Sequence, residues 1–223
     1  MEYIYCVLMG YAVGCVNPSY LIAQKKGFDI RKKGSGNAGA SNALILFGKL
    51  VGIACALFDI FKALLVIILA ETLFPARRLV FAVTGVACII GHVFPFYMGF
   101  KGGKGLACLG GMILCFDPRV FFVMLTIEIF VAILTDYICF VPLSASVIFP
   151  FVYGFMRRDA TGAVIIAVIA FIMFAKHAEN LKRIKNGTEM HFSYLWKPND
   201  EIERLKDVLG EEEATVESHF ARK

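Results

Sequence analysis

The sequence is short of charge. Asp, Glu, Lys and Arg make up 18 % of its 223 residues, against roughly 25 % in a soluble domain. With 58 % apolar residues and a mean hydropathy of +0.70, the chain has too little polar surface for a soluble fold of its length. Disorder, collagen and coiled coil are excluded on the same composition. Paired metal-ligand motifs are also missing. The seven cysteines form no Cys-x-x-Cys pair and lie mostly in apolar runs, where a thiol serves as a small hydrophobe. There is no His-Glu-x-x-His and no Gly-x-Ser-x-Gly nucleophile elbow, so no metal is expected. The basic start of a signal peptide is absent too, because the first charge is Glu2; the first apolar run is read as a mature helix.

What is present is a series of apolar segments. A membrane helix takes about 20 mostly apolar residues. Residues 3–23, 43–70, 79–100, 120–134, 138–155 and 161–175 fit, the last continuing to Lys185 before an Asn186-Gly187 stop. Leu106–Phe116 is too short to span alone and ends at Asp117-Pro118, so it reads as a short helix buried among its neighbours. The expectation is an all-α integral membrane protein, a seven-helix polytopic bundle with one short or broken helix. Loop charge orients it. With the N-terminus outside and the C-terminus cytoplasmic, eleven Lys and Arg fall in inner loops and five in outer loops, as the positive-inside rule requires.

The net charge of +5 hides an asymmetry. Residues 190–223 carry five basic and eight acidic residues, or −3, and residues 1–189 carry 18 − 10 = +8. The chain therefore divides into a basic membrane domain, 1–189, and an acidic cytoplasmic tail, 190–223, expected to stand outside any site. Residues 200–217 have helical apolar spacing through Ile202, Leu205, Val208 and Leu209. Nucleic acid is not expected as a partner, because the aromatics lie inside the apolar runs and not among the basic clusters.

Three polar clusters share the inner face of this topology. The first is Gly34-Ser35-Gly36-Asn37-Ala38-Gly39-Ala40-Ser41-Asn42. It contains Gly-x-Gly-x-x-Gly, yet follows Arg31-Lys32-Lys33 instead of a buried strand, so it is no dinucleotide fingerprint. Its glycines allow backbone N–H groups to converge on an anion; the alternative is a flexible turn. The second is Lys101-Gly102-Gly103-Lys104-Gly105. Met98 and Leu106 exclude a Walker A loop, but Lys104 within glycines suits a phosphate; the alternative is a positive-inside anchor. The third runs from His177 and Asn180 through Arg183 to Gly187-Thr188-Glu189. His177 and Asn180 share a helix face, and His177 is able to take a hydroxyl proton or to be purely structural. Asp59, Lys62, His92 and Glu128 are intramembrane polar groups. Asp59 and Lys62 are expected to pair with each other, and His92 to hydrogen-bond within the bundle.

Together the clusters resemble the bacterial acyl-phosphate:glycerol-3-phosphate acyltransferase family, whose motifs read Gly-Ser-Gly-Asn-x-Gly-Ala-Thr-Asn, Phe-Lys-Gly-Gly-Lys-Gly-x-Ala-Thr, and His-x-x-Asn-x-x-Arg with a closing Gly-Thr-Glu. Here they stand at Gly34 to Asn42, Phe100 to Cys108, and His177 to Glu189. Gly91-His92-Val93-Phe94-Pro95 and Asp59-Ile60-Phe61-Lys62 are similar to further family features. The His-x4-Asp pattern of many other glycerolipid acyltransferases is absent.

The resemblance implies transfer of an acyl group from fatty acyl phosphate to the 1-hydroxyl of sn-glycerol 3-phosphate, in the inner membrane of a bacterium. The products would be lysophosphatidic acid and phosphate. No cofactor and no obligate protein partner are implied; membrane lipid is the surrounding partner. Ser35, Lys104, His177 and Asn180 would be the catalytic residues. Gly34, Gly36, Asn37, Asn42, Lys101, Gly102, Gly103, Gly105, Arg183 and Glu189 would bind substrate. The chain departs from the pattern at Ile45, where the family carries an arginine, at Ser41 and at Cys108. Lys49, one turn on, is the expected substitute for the arginine. Two rival readings remain: a transporter for a phosphorylated solute, using the intramembrane polar groups, and a weakly active paralogue that serves as a lipid-binding scaffold.

Overall fold

The structure, a computed structural model, describes residues 1–209. It is all-helical, with no strand among the described residues. The helices are α1 (Glu2–Cys15), α2 (Pro18–Lys25), α3 (Ala40–Phe47), α4 (Lys49–Leu73), α5 (Val80–Val93), α6 (Leu106–Phe116), α7 (Pro118–Thr135), α8 (Phe140–Arg157), α9 (Ala160–Lys185) and α10 (Pro198–Leu209). Five helices are long and apolar enough to cross a membrane: α4, α5 with its extension to Met98, α7, α8 and α9. The α1–α2 pair meets the same test as one span with a 41° bend. Part of the helix expected at 200–217 is α10; its remainder lies outside the described residues.

Two apolar runs expected as single helices are each divided. The first breaks before Pro18, which has no N–H to donate and clashes with the preceding turn. Asn17 caps the new helix by accepting from the Tyr20 N–H at 2.9 Å. The break exposes the carbonyls of the last α1 turn, and side chains from distant helices satisfy them. Lys62 Nζ donates to Gly14 O and Val16 O at 3.0 and 2.6 Å, and the Tyr97 hydroxyl donates to Cys15 O at 2.8 Å. The second run divides at Gly48, whose φ of +91° ends α3 before α4 begins. Lys49 therefore opens a new helix and does not follow Ile45 by one continuous helical turn.

The core lies where α5, α6, α8 and α9 meet, around Ile89, Leu109, Met112, Phe149, Ile166, Ile169 and Met173, all fully buried. The α1 helix packs on α5 at backbone distance. A Cβ on Gly10 or Gly14 would meet the α5 backbone at Thr84 or Cys88, the close approach that small residues permit between membrane helices. Phe116 closes the far end of α6 against Phe81, Phe149 and Tyr153.

Contacts between loops sort them into two ends. At one end Arg77 pairs with Glu2, Arg78 pairs with Asp159 at 2.8 Å, and the Arg157 guanidinium lies over the Phe116 ring. At the other, Arg31 reaches the loop after α5, Lys104 reaches α9, and Asp136 holds the segment after residue 190.

Candidate active site

Each of the three polar clusters has its own internal scaffold. In the first, Asn42 is fully buried and its side chain is saturated by the loop it sits beneath. Its Oδ1 accepts the Ser35 N–H at 2.9 Å, and its Nδ2 donates to the carbonyls of Ile30, Lys33 and Asn37 at 3.0, 2.9 and 2.9 Å. Asn42 thus holds the loop's shape. Gly34 has φ +60° and a Cβ there would strike Asn42 Oδ1, so glycine is required on both counts. Gly36, at φ +71°, is exposed with Ser35 at the crest of the turn. The Ser35 hydroxyl makes no hydrogen bond among the described residues, and Ser35 makes none to the other two clusters.

The second loop is laid over His92. The Gly102 N–H donates to Val93 O at 2.9 Å and the Gly103 N–H to His92 O at 3.2 Å. A Cβ on Gly102 would meet the His92 carbonyl, and one on Gly103 the imidazole Nε2. The absence of a side chain at both positions is what lets the loop lie on the histidine. Gly105, at φ +90°, starts α6. Phe100 precedes the loop in the left-handed region, at φ +59°, a strained position for a bulky residue. Lys101 is exposed; its carbonyl accepts from Arg31 Nη1 at 3.4 Å.

Beneath the loop, Lys62 and Asp59 form a buried pair at 2.7 Å, and Lys62 Nζ lies 3.0 Å from His92 Nδ1. The expected pairing is present, and it extends to the imidazole that carries the second loop. Asp59, His92 and Cys108 bring ligand atoms within 4.8 Å of one another, an arrangement that cysteine and histidine spacing did not reveal. The Lys62 ammonium already supplies the positive charge there.

The third cluster meets the second directly. Lys104 Nζ donates to Asn180 Oδ1 at 2.5 Å. Asn180 Nδ2 donates to Glu189 Oε1, and Arg183 Nε to Glu189 Oε2, both at 2.6 Å. Burial pushes the Lys104 ammonium below its ordinary range, against the pull of Glu189 and with the push of Arg183. His177 lies one turn before Asn180 on α9 and is buried. Its Nδ1 is 2.8 Å from Met173 O, which places a proton on Nδ1; Nε2 has no hydrogen-bond partner among the described residues. Asn186 and Gly187 end the helix as expected, Gly187 at φ +71°, and the turn brings Glu189 back over Asn180.

One residue that joins the clusters was read only as an inside-loop charge. Arg31 is held by Asp29 through three carboxylate contacts, the shortest 2.7 Å. From there Nη1 donates to Met98 O and to Lys101 O, tying the first loop to the second. An Asp-x-Arg pair ahead of the glycine-rich turn is the local signal for it. The Asn17 amide adds a second tie, donating to Ala38 O at 2.7 Å.

The fold and this end of it define a multi-pass membrane protein. It presents a lysine, an arginine, an asparagine and an imidazole beside a glycine-rich turn. The chain belongs to the glycerol-3-phosphate acyltransferase family, whose model matches residues 4–187. It is 36 % identical over 183 residues to a glycerol-3-phosphate acyltransferase of Thermotoga petrophila, covering 82 % of this chain and 92 % of that one. It is 37 % identical over 184 residues to one of Geobacter sulfurreducens, covering 82 % and 94 %. The fold is similar to the crystal structure of PlsY, an integral membrane glycerol 3-phosphate acyltransferase, in its glycerol 3-phosphate form. There the TM-score is 0.78 at 28 % identity, over 89 % of this chain and all of that one. The lysophosphatidic acid form gives 0.76 at 26 % identity, over 86 % and 95 %.

Proposed function

We infer that the protein transfers a fatty acyl group from acyl phosphate to the 1-hydroxyl of glycerol 3-phosphate, releasing lysophosphatidic acid and phosphate. The observation that carries this reading at the level of residues is the Lys104–Asn180 hydrogen bond at 2.5 Å. It unites the second and third clusters in one cationic site. Lys104 and Arg183 hold the phosphate of glycerol 3-phosphate, with Asn180 orienting the hydroxyls. Ser35, at the crest of the first loop, faces the acyl phosphate, with the Gly34 to Asn37 turn and the exposed Lys101 beside it. The 1-hydroxyl oxygen bonds to the acyl carbon, the carbon–oxygen bond to phosphate breaks, and the hydroxyl proton passes through His177 Nε2 to the departing phosphate. Acyl phosphate is already activated, so positioning and charge stabilisation suffice without an acyl-enzyme.

The acyl chain lies in a cleft of about 330 Å³ lined by Val13, Phe58, Phe61, Leu65, Val66 and Leu69, apolar except for Lys62. Phe58, Phe61, Leu65 and Leu69 are exposed on α4, so the cleft opens sideways toward lipid.

We place the chain in a bacterial cell membrane with seven passes, α6 included, its N-terminus outside and its site cytoplasmic. The sorting of loops into two ends supports this, because the lysine-rich loops and α9's last turn share one end. A transport reading finds less support. Lys62 is already engaged by Asp59, His92 and two carbonyls, and Glu128 accepts from the Ser144 hydroxyl at 2.5 Å.

The test is the purified full-length protein in detergent with palmitoyl phosphate and glycerol 3-phosphate, following phosphate release and lysophosphatidic acid. Stoichiometric formation of both is expected. No turnover beside an active family member overturns the activity.

A further inference from the structure

The family match stops at residue 187, and the chain does not. Beyond it, residues 190–209 pack back onto the catalytic end of the bundle, so this part of the acidic tail does not stand apart as expected. The segment is anchored first at the α7–α8 turn. The Phe192 and Ser193 N–H groups donate to Asp136 O and Oδ1 at 2.6 and 2.7 Å, and the Ser193 hydroxyl donates to Asp136 Oδ2 at 2.8 Å. His191 lies beside it, with Nε2 3.0 Å from the Tyr137 hydroxyl and Nδ1 3.0 Å from Glu201.

From α10, Arg204 then reaches the turn that follows α9. Its Nη1 donates to Gly187 O at 2.6 Å and its Nη2 to Glu189 O at 2.9 Å. Glu201, buried at 6 % exposure, holds the guanidinium from behind at 2.6 and 3.0 Å and accepts the His191 N–H at 2.8 Å. Burial alone would push the Glu201 carboxyl up; the Arg204 and His191 hydrogen bonds outweigh it, and the carboxyl sits below its ordinary range. A planar guanidinium suits two carbonyls two residues apart, and its charge complements the C-terminal end of α9.

The turn so held carries Glu189, whose carboxylate binds Asn180 and Arg183. We propose that Arg204 is a positioning residue for the glycerol 3-phosphate site. By fixing the Gly187 and Glu189 carbonyls it sets the direction of the Glu189 carboxylate, and through it the side chains of Asn180 and Arg183. The proposal rests on the acyltransferase reading of those two residues.

The test compares the full-length wild type with Arg204→Met, Arg204→Lys and, as control, Glu203→Gln, an exposed residue on the same helix. Arg204→Met is expected to raise the KM for glycerol 3-phosphate about tenfold, with the KM for palmitoyl phosphate within about twofold. Arg204→Lys recovers part of the loss, because one ammonium serves one carbonyl well and not two. Hydrogen–deuterium exchange in a peptide covering 184–190 rises in Arg204→Met and not in the control. An unchanged KM for glycerol 3-phosphate overturns the proposal, as does an equal rise for both substrates. Should Arg204→Met fail to fold, Arg204→Lys carries the same comparison. A wild type that turns over no substrate overturns the acyltransferase reading instead, and the two failures are thereby distinct.

Discussion

Lys104 and Asn180 are 76 residues apart and 2.5 Å from each other. Lys104 comes from a loop after α5 and Asn180 from the last turns of α9. Their contact gives the site its positive charge at a defined place. In turn, the Glu189 carboxylate that holds Asn180 keeps the net charge moderate, leaving Arg183 43 % exposed and able to meet an anion. Removing Lys104 is therefore a test of charge at a fixed point. Lys104→Met should lower kcat/KM by roughly 10²–10³, read by phosphate release, while the melting temperature moves little because Asn180 keeps its bond to Glu189.

Gly103 should tolerate no side chain while His92 is present. A Cβ there meets the imidazole Nε2, and the ring is held from its other side, where Nδ1 lies 3.0 Å from Lys62 Nζ. Gly103→Ala is expected to abolish most turnover. Adding His92→Ala should recover part of the melting temperature lost to the clash, measured on the purified single and double variants. A Gly103→Ala enzyme with wild-type kinetics would show that the loop moves freely over the histidine.

Asn42→Ala removes four hydrogen bonds from a buried position. A typical bond contributes about 1 kcal/mol net, so a loss of about 2–4 kcal/mol is expected, with faster protease cleavage between Arg31 and Asn42. Asn42→Asp should be nearly as harmful, because a carboxylate oxygen replaces the amide group that donates to three carbonyls. If Asn42→Ala instead raises the KM of one substrate and leaves cleavage unchanged, Asn42 contacts ligand and is no scaffold.

Lys62→Met leaves Asp59 with His92 Nδ1, 3.4 Å away, as its remaining partner and leaves the α1 carbonyls open. Breaking a buried ion pair costs about 3–5 kcal/mol. The double variant Lys62→Met, Asp59→Asn should recover a substantial part of that loss, as judged by thermal unfolding in detergent. Sealed vesicles of the wild type should show no uptake of glycerol 3-phosphate without chemical turnover; uptake would restore the transport reading.

Ile45 is half-buried on α3, and the break at Gly48 sends Lys49 onto a different helix. Ile45→Arg should lower the KM for glycerol 3-phosphate, and an unchanged or raised value would show that the missing charge does not limit this enzyme.

Local signals set out much of this molecule. The apolar runs, Asp117-Pro118 as the boundary between α6 and α7, the Asn186-Gly187 stop and the Asp59–Lys62 pair are all settled within about four residues, the range over which helix periodicity, capping and proline geometry act. The three clusters were legible for the same reason, since each is a contiguous stretch with its own turn chemistry. Tertiary structure decided what those stretches do to one another. The break at Pro18 is local, but Lys62 and Tyr97, from helices far along the chain, make it tolerable by satisfying the carbonyls it frees. That His92 lies beneath the glycines at 102 and 103 depends on how the loop folds back on α5, and the four bonds of Asn42 depend on how its own loop wraps it. Arg31 on Met98, Lys104 on Asn180 and Arg204 on the Gly187–Glu189 turn all depend on which helix ends meet, and long-range packing of the bundle alone determines that.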